Sequence, residues 1–160
     1  MMNEITFATR EEEETLQDLF TGYGMALAGD IEEHVLVKAG HKVLAGAMLS
    51  QIDTNLFHLL VFAVSKDGHH QGIGSQLLQE LLKKPENYCR TSFDGVDETY
   101  TVTTVAKGDA APFYQKNGFA ACDFSVLAYP FDEQCEECPD KQDCKPVAMM
   151  IECHQYKERK

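Results

Sequence analysis

The chain has 160 residues, of which 44% are hydrophobic and 25% charged, enough for one domain with a substantial core. Its formal net charge of -12 excludes nucleic acid and anionic membranes as expected partners, because both repel an acidic surface. No segment approaches about 18 consecutive apolar residues and the first residues carry no export signal, so we expect a single domain over residues 1–160, in the cytoplasm, with reduced thiols.

The N-terminal region is predicted to form a strand followed by two helices. Ile5–Ala8 has the composition of a short strand, and Thr9 with Glu12 forms a capping-box pattern at the start of a first helix. The acidic run after Thr9 fits that position, because negative charge is favourable at a helix N-terminus. Met25–Ile31 is predicted to form a second, short helix.

Three strands are predicted to follow as a meander. Apolar and β-branched residues mark them at Val35–Val37, Val43–Ile52 and Leu59–Val64, with turn residues at Gly40–His41 and Asp53–Asn55 between them. The histidines in this region have no spacing typical of a metal site, so we expect surface or capped positions for them: His34, His41 and His58.

The stretch from residue 57 to residue 82 is the most informative part of the chain. An apolar run ends at Val64 and is followed by a Ser-Lys-Asp-Gly turn, by Gly72 and Gly74, and by apolar residues at helical spacing. A helix that begins at such glycines presents free backbone N–H groups and a positive partial charge, which favours a phosphate ligand. The alternative is a turn that only connects a strand to a helix.

Two nucleotide-binding patterns are excluded in this stretch. No lysine follows Gly74, as a phosphate-cradling loop of the nucleotide-hydrolase type requires. Leu77 replaces the third glycine of a dinucleotide-binding fingerprint. The phosphate hypothesis therefore needs another source of support.

A second strand–helix unit follows. Tyr100–Val105 alternates Thr and Val, which favours a strand. Residues 110–119 are then predicted to form a short helix with Asp109 as its N-cap, Pro112 in its first turn and Gly118 at its end.

The C-terminal part contains two segments that we predict to be extended, Phe119–Phe131 and Val147–Tyr156. They are joined by an acidic loop with three cysteines in C-x-x-C-x5-C spacing: Cys135, Cys138 and Cys144. Three thiolates suit a structural zinc ion, whose fourth ligand would be a nearby aspartate, water or a residue of a neighbouring chain. A disulfide across the loop and simple surface cysteines are the alternatives.

Together, the two strand–helix units resemble the GNAT superfamily of N-acetyltransferases. The sequence HHQGIG after Val64 is similar to that family's Q/R-x-x-G-x-G/A motif, and FYQKNGF at Phe113–Phe119 is similar to its second motif. Two positions depart from the family pattern, since His69 replaces an arginine or glutamine and Lys107 stands where an asparagine is frequent. The resemblance implies an α/β (mixed α+β) fold with a central, mostly antiparallel sheet that holds one splayed parallel strand pair and is flanked by helices.

The resemblance also implies acetyl-CoA as cosubstrate and direct attack of a small-molecule or peptide amine on its acetyl group. The implied CoA-binding residues are Phe62, Val64, His69, His70, Gln71, Gly72, Ile73, Gly74, Ser75 and Lys107. Tyr114 matches the general acid that protonates the leaving thiolate, and an ordinary tyrosine pKa of about 10 suits that task. Tyr23 and Met25 fall in the region that borders the acceptor in this family, although packing is the favoured role for both.

Several points stay open on the sequence alone. No carboxylate lies within Leu59–Val64, so the general base is left between water, Asp53 and His58. A homodimer is neither favoured nor excluded. Two other functions remain alternatives: a catalytically weak CoA-binding or metal-responsive module whose cysteine loop is the working part, and a thiol redox sensor.

Overall fold

The computed structural model describes residues 5–66, 72–90, 95–129, 131–133 and 145–154. Its strands are β1 (Ile5–Phe7), β2 (Val35–Ala39), β3 (Lys42–Asp53), β4 (Leu56–Val64), β5 (Thr99–Ala106), β6 (Ala120–Ala121) and β7 (Val147–His154). Its α-helices are α1 (Glu13–Thr21), α2 (Ile73–Lys83) and α3 (Ala111–Lys116). Within these described ranges, no helix has both the length and the apolar character needed to cross a membrane.

The strands form one mixed sheet in the order β1-β2-β3-β4-β5-β7-β6. Strands β4 and β5 are parallel, and the other neighbouring pairs are antiparallel. The predicted meander is confirmed as β2, β3 and β4. The predicted fold class, a mostly antiparallel sheet with one parallel pair and flanking helices, is confirmed as well.

The core lies on both faces of this sheet. On one face, the apolar stripe of α2 packs against β4 and β5 in a cluster that includes Leu77, Leu78 and Phe57. On the other face, Leu16 and Phe20 of α1 are fully buried in a smaller cluster. The helical spacing of both stripes explains why each helix presents one apolar face to the sheet.

The predicted helix Met25–Ile31 is wrong. Residues 25–30 are irregular, and a short 3₁₀ turn at Ile31–Glu33 follows. The fully buried His34 fixes this loop, since its Nε2 accepts a hydrogen bond from the Ala28 N–H at 3.1 Å and its Nδ1 lies 2.9 Å from the Asp30 carbonyl. Hydrogen bonds to a side chain thus replace those of a helix, and His34 takes the capped rather than the surface position.

The predicted extended segment Phe119–Phe131 is also wrong. Among its described residues, strand structure is limited to β6, and 3₁₀ turns occupy Phe124–Val126 and Phe131–Glu133. Burial here does not alternate from residue to residue as in a strand, because the neighbours Ala120 and Ala121 are both exposed, as are Ser125 and Val126. The other predicted segment, Val147–Tyr156, is confirmed up to His154, beyond which the chain lies outside the described residues.

The start of α3 differs from the prediction in its capping residue. The N-cap is Ala110 rather than Asp109, and no side chain caps the helix. The Lys107 carbonyl instead accepts the N–H groups of Ala110 and Ala111, at 2.9 and 3.1 Å. The end of the helix is as predicted, since Gly118 has a φ of 102° and ends the helical conformation after Lys116.

Candidate active site

Strands β4 and β5 separate towards their C-terminal ends. Among the described residues, their pairing covers Leu56–Leu59, which face Thr101–Thr104, whereas the strands continue to Val64 and Ala106. The register of β4 against β3 shifts at the point of separation, where Leu60 is an extra residue. A β-bulge of this kind bends a strand locally. The result is a V-shaped gap, the β4–β5 gap, between two strand ends.

The edge of β4 that faces this gap carries backbone hydrogen-bonding groups. Beyond the end of β4, the Ser65 N–H donates to the Leu44 carbonyl of β3 at 2.8 Å. Because successive residues of a strand present their backbone groups to opposite edges, those of Phe62 and Val64 point away from β3 and towards the gap. The two β4 residues predicted to contact CoA therefore lie where a ligand could add as a strand.

The N-terminus of α2 lies next to the end of β4. Gly72 precedes the helix in a left-handed conformation with a φ of 74°, and no described atom lies within 4 Å of the position that a Cβ would take. The first four N–H groups of an α-helix have no partner within the helix, and they carry a positive partial charge. The predicted residues Gly72–Ser75 thus form an anion-attracting helix start, while His69, His70 and Gln71 lie outside the described residues.

The second glycine of the motif has a packing role. A Cβ on Gly74 would lie 2.9 Å from Cγ2 of Val64 and 3.3 Å from the Phe113 ring. Gly74 therefore lets α2 approach the open end of β4 and the start of α3. The space for a ligand is at Gly72, not at the Cα of Gly74.

Tyr114 lies where the two strands separate. Its ring is 6% exposed and packs edge-on against Phe62 and Phe119. Its hydroxyl lies beside that of Thr104, which itself donates to the Leu59 carbonyl at 2.9 Å, so the phenol is close to the last paired position of β4 and β5. Burial raises the pKa of Tyr114 well above its ordinary value, although the bond to Thr104 opposes this shift. The phenol is thus a protonated group held at the apex of the gap.

His58 directly precedes Leu59, the last residue of β4 that pairs with β5, and lies on the face of the sheet opposite Tyr114. Its Nδ1 is 2.8 Å from the Thr103 hydroxyl, and its ring stacks on Phe131 with a centroid distance of 3.9 Å. The side chain is 1% exposed and bonded to Thr103, so of the two predicted positions, surface or capped, His58 takes the capped one. Burial lowers the pKa of His58 to about 4. The imidazole is therefore neutral at physiological pH.

Asp53, the other predicted base, lies at the far end of β4. It is exposed, pairs with Leu56 in the sheet register and accepts the N–H of Thr54 at 2.7 Å. Val64 lies eight residues further along the strand from Leu56. Asp53 is thus at the closed end of the strand pair and not in the gap.

Tyr23 and Lys107 meet at the mouth of the gap. The Tyr23 hydroxyl donates to the Val64 carbonyl at 2.6 Å, and the Lys107 ammonium donates to the Tyr23 carbonyl. Lys107 directly follows β5, so Tyr23 is linked to both strand ends. From the sequence, Lys107 was predicted to lie near the CoA site and Tyr23 to have a packing role. The two contacts of Tyr23 join residues that are 41 and 84 positions apart in the chain, and such contacts leave no local sequence signal. Met25, the other acceptor-side candidate, is partly buried against the α1 cluster.

The described residues contain no group of three or more His, Cys, Asp or Glu side chains that could hold a metal ion. The predicted zinc ligands Cys135, Cys138 and Cys144 lie outside them. Cysteines in the described ranges are not in disulfides, and burial raises the pKa of Cys89 to about 12, which makes it a poor nucleophile.

A gap between two parallel strands beside a glycine-opened helix suits an extended, phosphate-bearing ligand. Residues 30–121, more than half of the chain, match the family model described as an acetyltransferase (GNAT) domain. The chain belongs to this family.

Solved structures share the fold at low sequence identity. N-acetylglutamate synthase from Neisseria gonorrhoeae, in complex with coenzyme A and N-acetyl-glutamate, matches 97% of this chain with a TM-score of 0.75 and 13% identity. The chain spans only 36% of that protein's length. The ribosomal-protein-S18-alanine N-acetyltransferase from Escherichia coli matches 99% of this chain and 99% of its own length, with a TM-score of 0.64 and 17% identity.

A third similar structure is the PaiA N-acetyltransferase from Thermoplasma acidophilum in complex with coenzyme A. It matches 98% of this chain and 100% of its own length, with a TM-score of 0.59 and 17% identity. Among curated proteins, no sequence match is found. At these identities the structures establish the shared fold, and the residues of the gap must carry any finer statement about function.

Proposed function

We propose that the protein transfers the acetyl group of acetyl-CoA directly to a primary amine, with the β4–β5 gap as its active site. The single observation that carries this proposal is the separation of β4 from β5 after Leu59 and Thr104, beside the N-terminus of α2. It brings together a part of β4 that does not pair with β5, an anion-attracting helix start and a buried proton donor.

The residues around the gap fit the two recognisable parts of CoA. Backbone groups of Phe62 and Val64 suit the amides of the pantetheine arm, which would add to β4 as a strand does. The N–H groups of Gly72–Ser75 suit the diphosphate, and the open space at Gly72 lets a phosphate approach the backbone. Acetyl-CoA, when bound, supplies a reactive thioester and a thiol leaving group.

Tyr114 is proposed as the general acid. The phenol is protonated at neutral pH and can therefore donate to the leaving thiolate, although burial raises its pKa and makes it a weaker acid than an ordinary tyrosine. Its hydroxyl lies beside Thr104 at the apex of the gap. This placement makes the phenol a directed donor as well as a packed aromatic.

Water is proposed as the proton acceptor for the attacking amine. Asp53 lies at the wrong end of β4, and His58 is covered by Phe131 and has a pKa of about 4, too low for an efficient base at neutral pH. Neither of the two predicted bases therefore suits the task.

The proposed acceptor is a cationic primary amine. The formal net charge of -12 attracts cations over long range. Among the similar structures, the named activities include an N-acetylglutamate synthase and a ribosomal-protein alanine N-acetyltransferase, so an amino acid and a protein N-terminus are both reasonable acceptor classes.

A thiol-release assay with a panel of amines tests this proposal. The purified protein is incubated with acetyl-CoA and, separately, with amino acids, polyamines and peptides bearing a free N-terminus. The expected result is amine-dependent release of CoA, together with a melting temperature raised by acetyl-CoA. Absence of both effects would contradict the proposal, because a ligand that binds only the native state of a protein must stabilise that protein.

A further inference from the structure

The mouth of the β4–β5 gap is crossed by one residue from outside the two strands. Tyr23, just after α1, donates its hydroxyl to the Val64 carbonyl of β4 at 2.6 Å and receives the Lys107 ammonium on its own carbonyl. Both contacts involve the strand ends that delimit the gap. This bridge is held by two side-chain hydrogen bonds where the closed end of the gap has a backbone ladder.

The hydrogen bond to Val64 uses a group that the proposed cofactor also needs. The Val64 carbonyl points away from β3 into the gap, because the neighbouring Ser65 N–H is directed to Leu44 of β3. A pantetheine arm that adds to β4 as a strand must donate an N–H to carbonyls of this edge. The Tyr23 phenol thus occupies one of the acceptors that the arm would use.

The backbone around Tyr23 is anchored, so the hydroxyl can leave the Val64 carbonyl by rotation of the side chain alone. The N–H groups of Tyr23 and Met25 both donate to the Phe20 carbonyl, at 3.0 and 2.9 Å. A Cβ at Gly24 would lie 2.7 Å from the Lys107 ammonium nitrogen, so the chain packs closely there. The Tyr23 side chain is only partly buried, and its phenol therefore has solvent beside it.

We infer that Tyr23 is an intramolecular competitor of the pantetheine arm: its hydroxyl closes the β4–β5 gap in the cofactor-free protein and leaves the Val64 carbonyl when CoA enters. This inference rests on the proposed function. It makes the apparent affinity for CoA depend on the fraction of molecules in which the tyrosine has left the carbonyl.

Tyr23→Phe tests the inference, because it removes the hydroxyl and keeps the ring. CoA should bind about three- to ten-fold more tightly to the variant, the change expected for one lost competing hydrogen bond. Stopped-flow measurements should show that the association rate rises while the dissociation rate stays as in the wild type. Adenosine 3′,5′-bisphosphate, which lacks the pantetheine arm, should bind both proteins equally.

A matched control is Tyr129→Phe, since Tyr129 is 77% exposed, and CoA binding should not change in it. Unchanged or weaker CoA binding by Tyr23→Phe would overturn the inference, as would an equal gain for adenosine 3′,5′-bisphosphate. Failure of the wild type to bind CoA at all would instead overturn the proposed function, and the inference with it. CoA binding that is indifferent to Tyr23 would leave the proposed function standing.

Discussion

The two ends of the β4–β5 pair differ in what holds them together. At the closed end, Leu56–Leu59 and Thr101–Thr104 form a backbone ladder, and the buried hydroxyls of Thr103 and Thr104 bond to carbonyls of β4. At the open end, Tyr23 links the two strand ends, since its hydroxyl donates to the Val64 carbonyl and its backbone carbonyl accepts the Lys107 ammonium.

This difference teaches where the sheet is built for stability and where it is built for binding. A ladder with buried, fully paired polar groups is costly to open, because each unpaired group would lose about 1–3 kcal/mol. A bridge of side chains near solvent can be exchanged for a ligand. Substitutions at the closed end should therefore change mainly stability, and substitutions around the open end should change mainly CoA binding or turnover.

The largest effect is expected for Tyr114→Phe, at the boundary between the two ends. Loss of a general acid lowers turnover by roughly 100-fold or more, while the affinity for CoA should stay near that of the wild type. Steady-state kinetics and calorimetric CoA titration check both parts. Tyr100→Phe is the matched control, because Tyr100 is equally buried but its hydroxyl donates to Leu82, away from the gap.

That control should lose stability and keep its turnover per folded molecule. If Tyr114→Phe turns over acetyl-CoA as fast as the wild type, Tyr114 is a packing residue and the acid must be sought elsewhere.

The free energy of unfolding should depend on pH through His58, which lies at the closed end of the strand pair. The pKa of His58 is about 4 in the folded protein and about 6.5 in the unfolded chain, so below about pH 6.5 the unfolded state binds more protons. The free energy of unfolding should therefore fall as the pH decreases from 6.5 to 4, by roughly 3 kcal/mol from this group. Denaturant unfolding of the wild type and of His58→Gln measures this contribution as the difference between their pH profiles.

His41→Gln serves as the control, because His41 is exposed in the turn between β2 and β3. A profile of His58→Gln that is parallel to the wild-type profile between pH 4 and 7 would mean that His58 is not neutral and buried in solution.

The two glycines of the motif should respond differently to alanine. In Gly74→Ala the new methyl group meets Val64 and Phe113, and overpacking of this kind costs about 1–3 kcal/mol. In Gly72→Ala space is open, and the cost is the left-handed backbone alone, about 1–2 kcal/mol. Chemical denaturation gives both values. Both variants should also weaken CoA binding, Gly72→Ala because its methyl group fills the space through which the phosphate approaches and Gly74→Ala because it displaces the end of β4. CoA binding that is unchanged in Gly72→Ala would contradict this assignment of roles.

The smallest effect on acetyl transfer is expected from the cysteine loop. We propose that Cys135, Cys138 and Cys144 hold one structural zinc ion. Elemental analysis should find about one zinc per chain in the wild type and none in Cys138→Ser, with little change in turnover. Zinc-free wild-type protein would exclude the site, and a disulfide detected by mass spectrometry would replace it.

The strand–turn–helix around Val64 and Gly72 could be predicted because its signals are local. A continuous apolar run, a breaker cluster and a leucine stripe each specify one element, and the family motif coincides with them. Met25–Ile31 was mispredicted because its backbone is held by His34, whose contacts to Ala28 and Asp30 exist only in the folded protein.

The site shows the same division. Gly72 and Tyr114 could be found from motifs, and the parallel pairing brings them to one gap. The raised pKa of Tyr114 and the lowered pKa of His58 follow from burial, which no local pattern reveals. The Tyr23 bridge joins three separate parts of the chain and had to be read from the structure.

The central claim is that CoA lies in the β4–β5 gap with its diphosphate on the N-terminus of α2, and a crystal structure of the CoA complex tests it most directly. The account predicts diphosphate oxygens within hydrogen-bonding distance of N–H groups of Gly72–Ser75 and the pantetheine arm beside Phe62–Val64. CoA bound elsewhere would contradict it, for instance in the cavity of about 630 Å³ lined by Arg10 and Arg90.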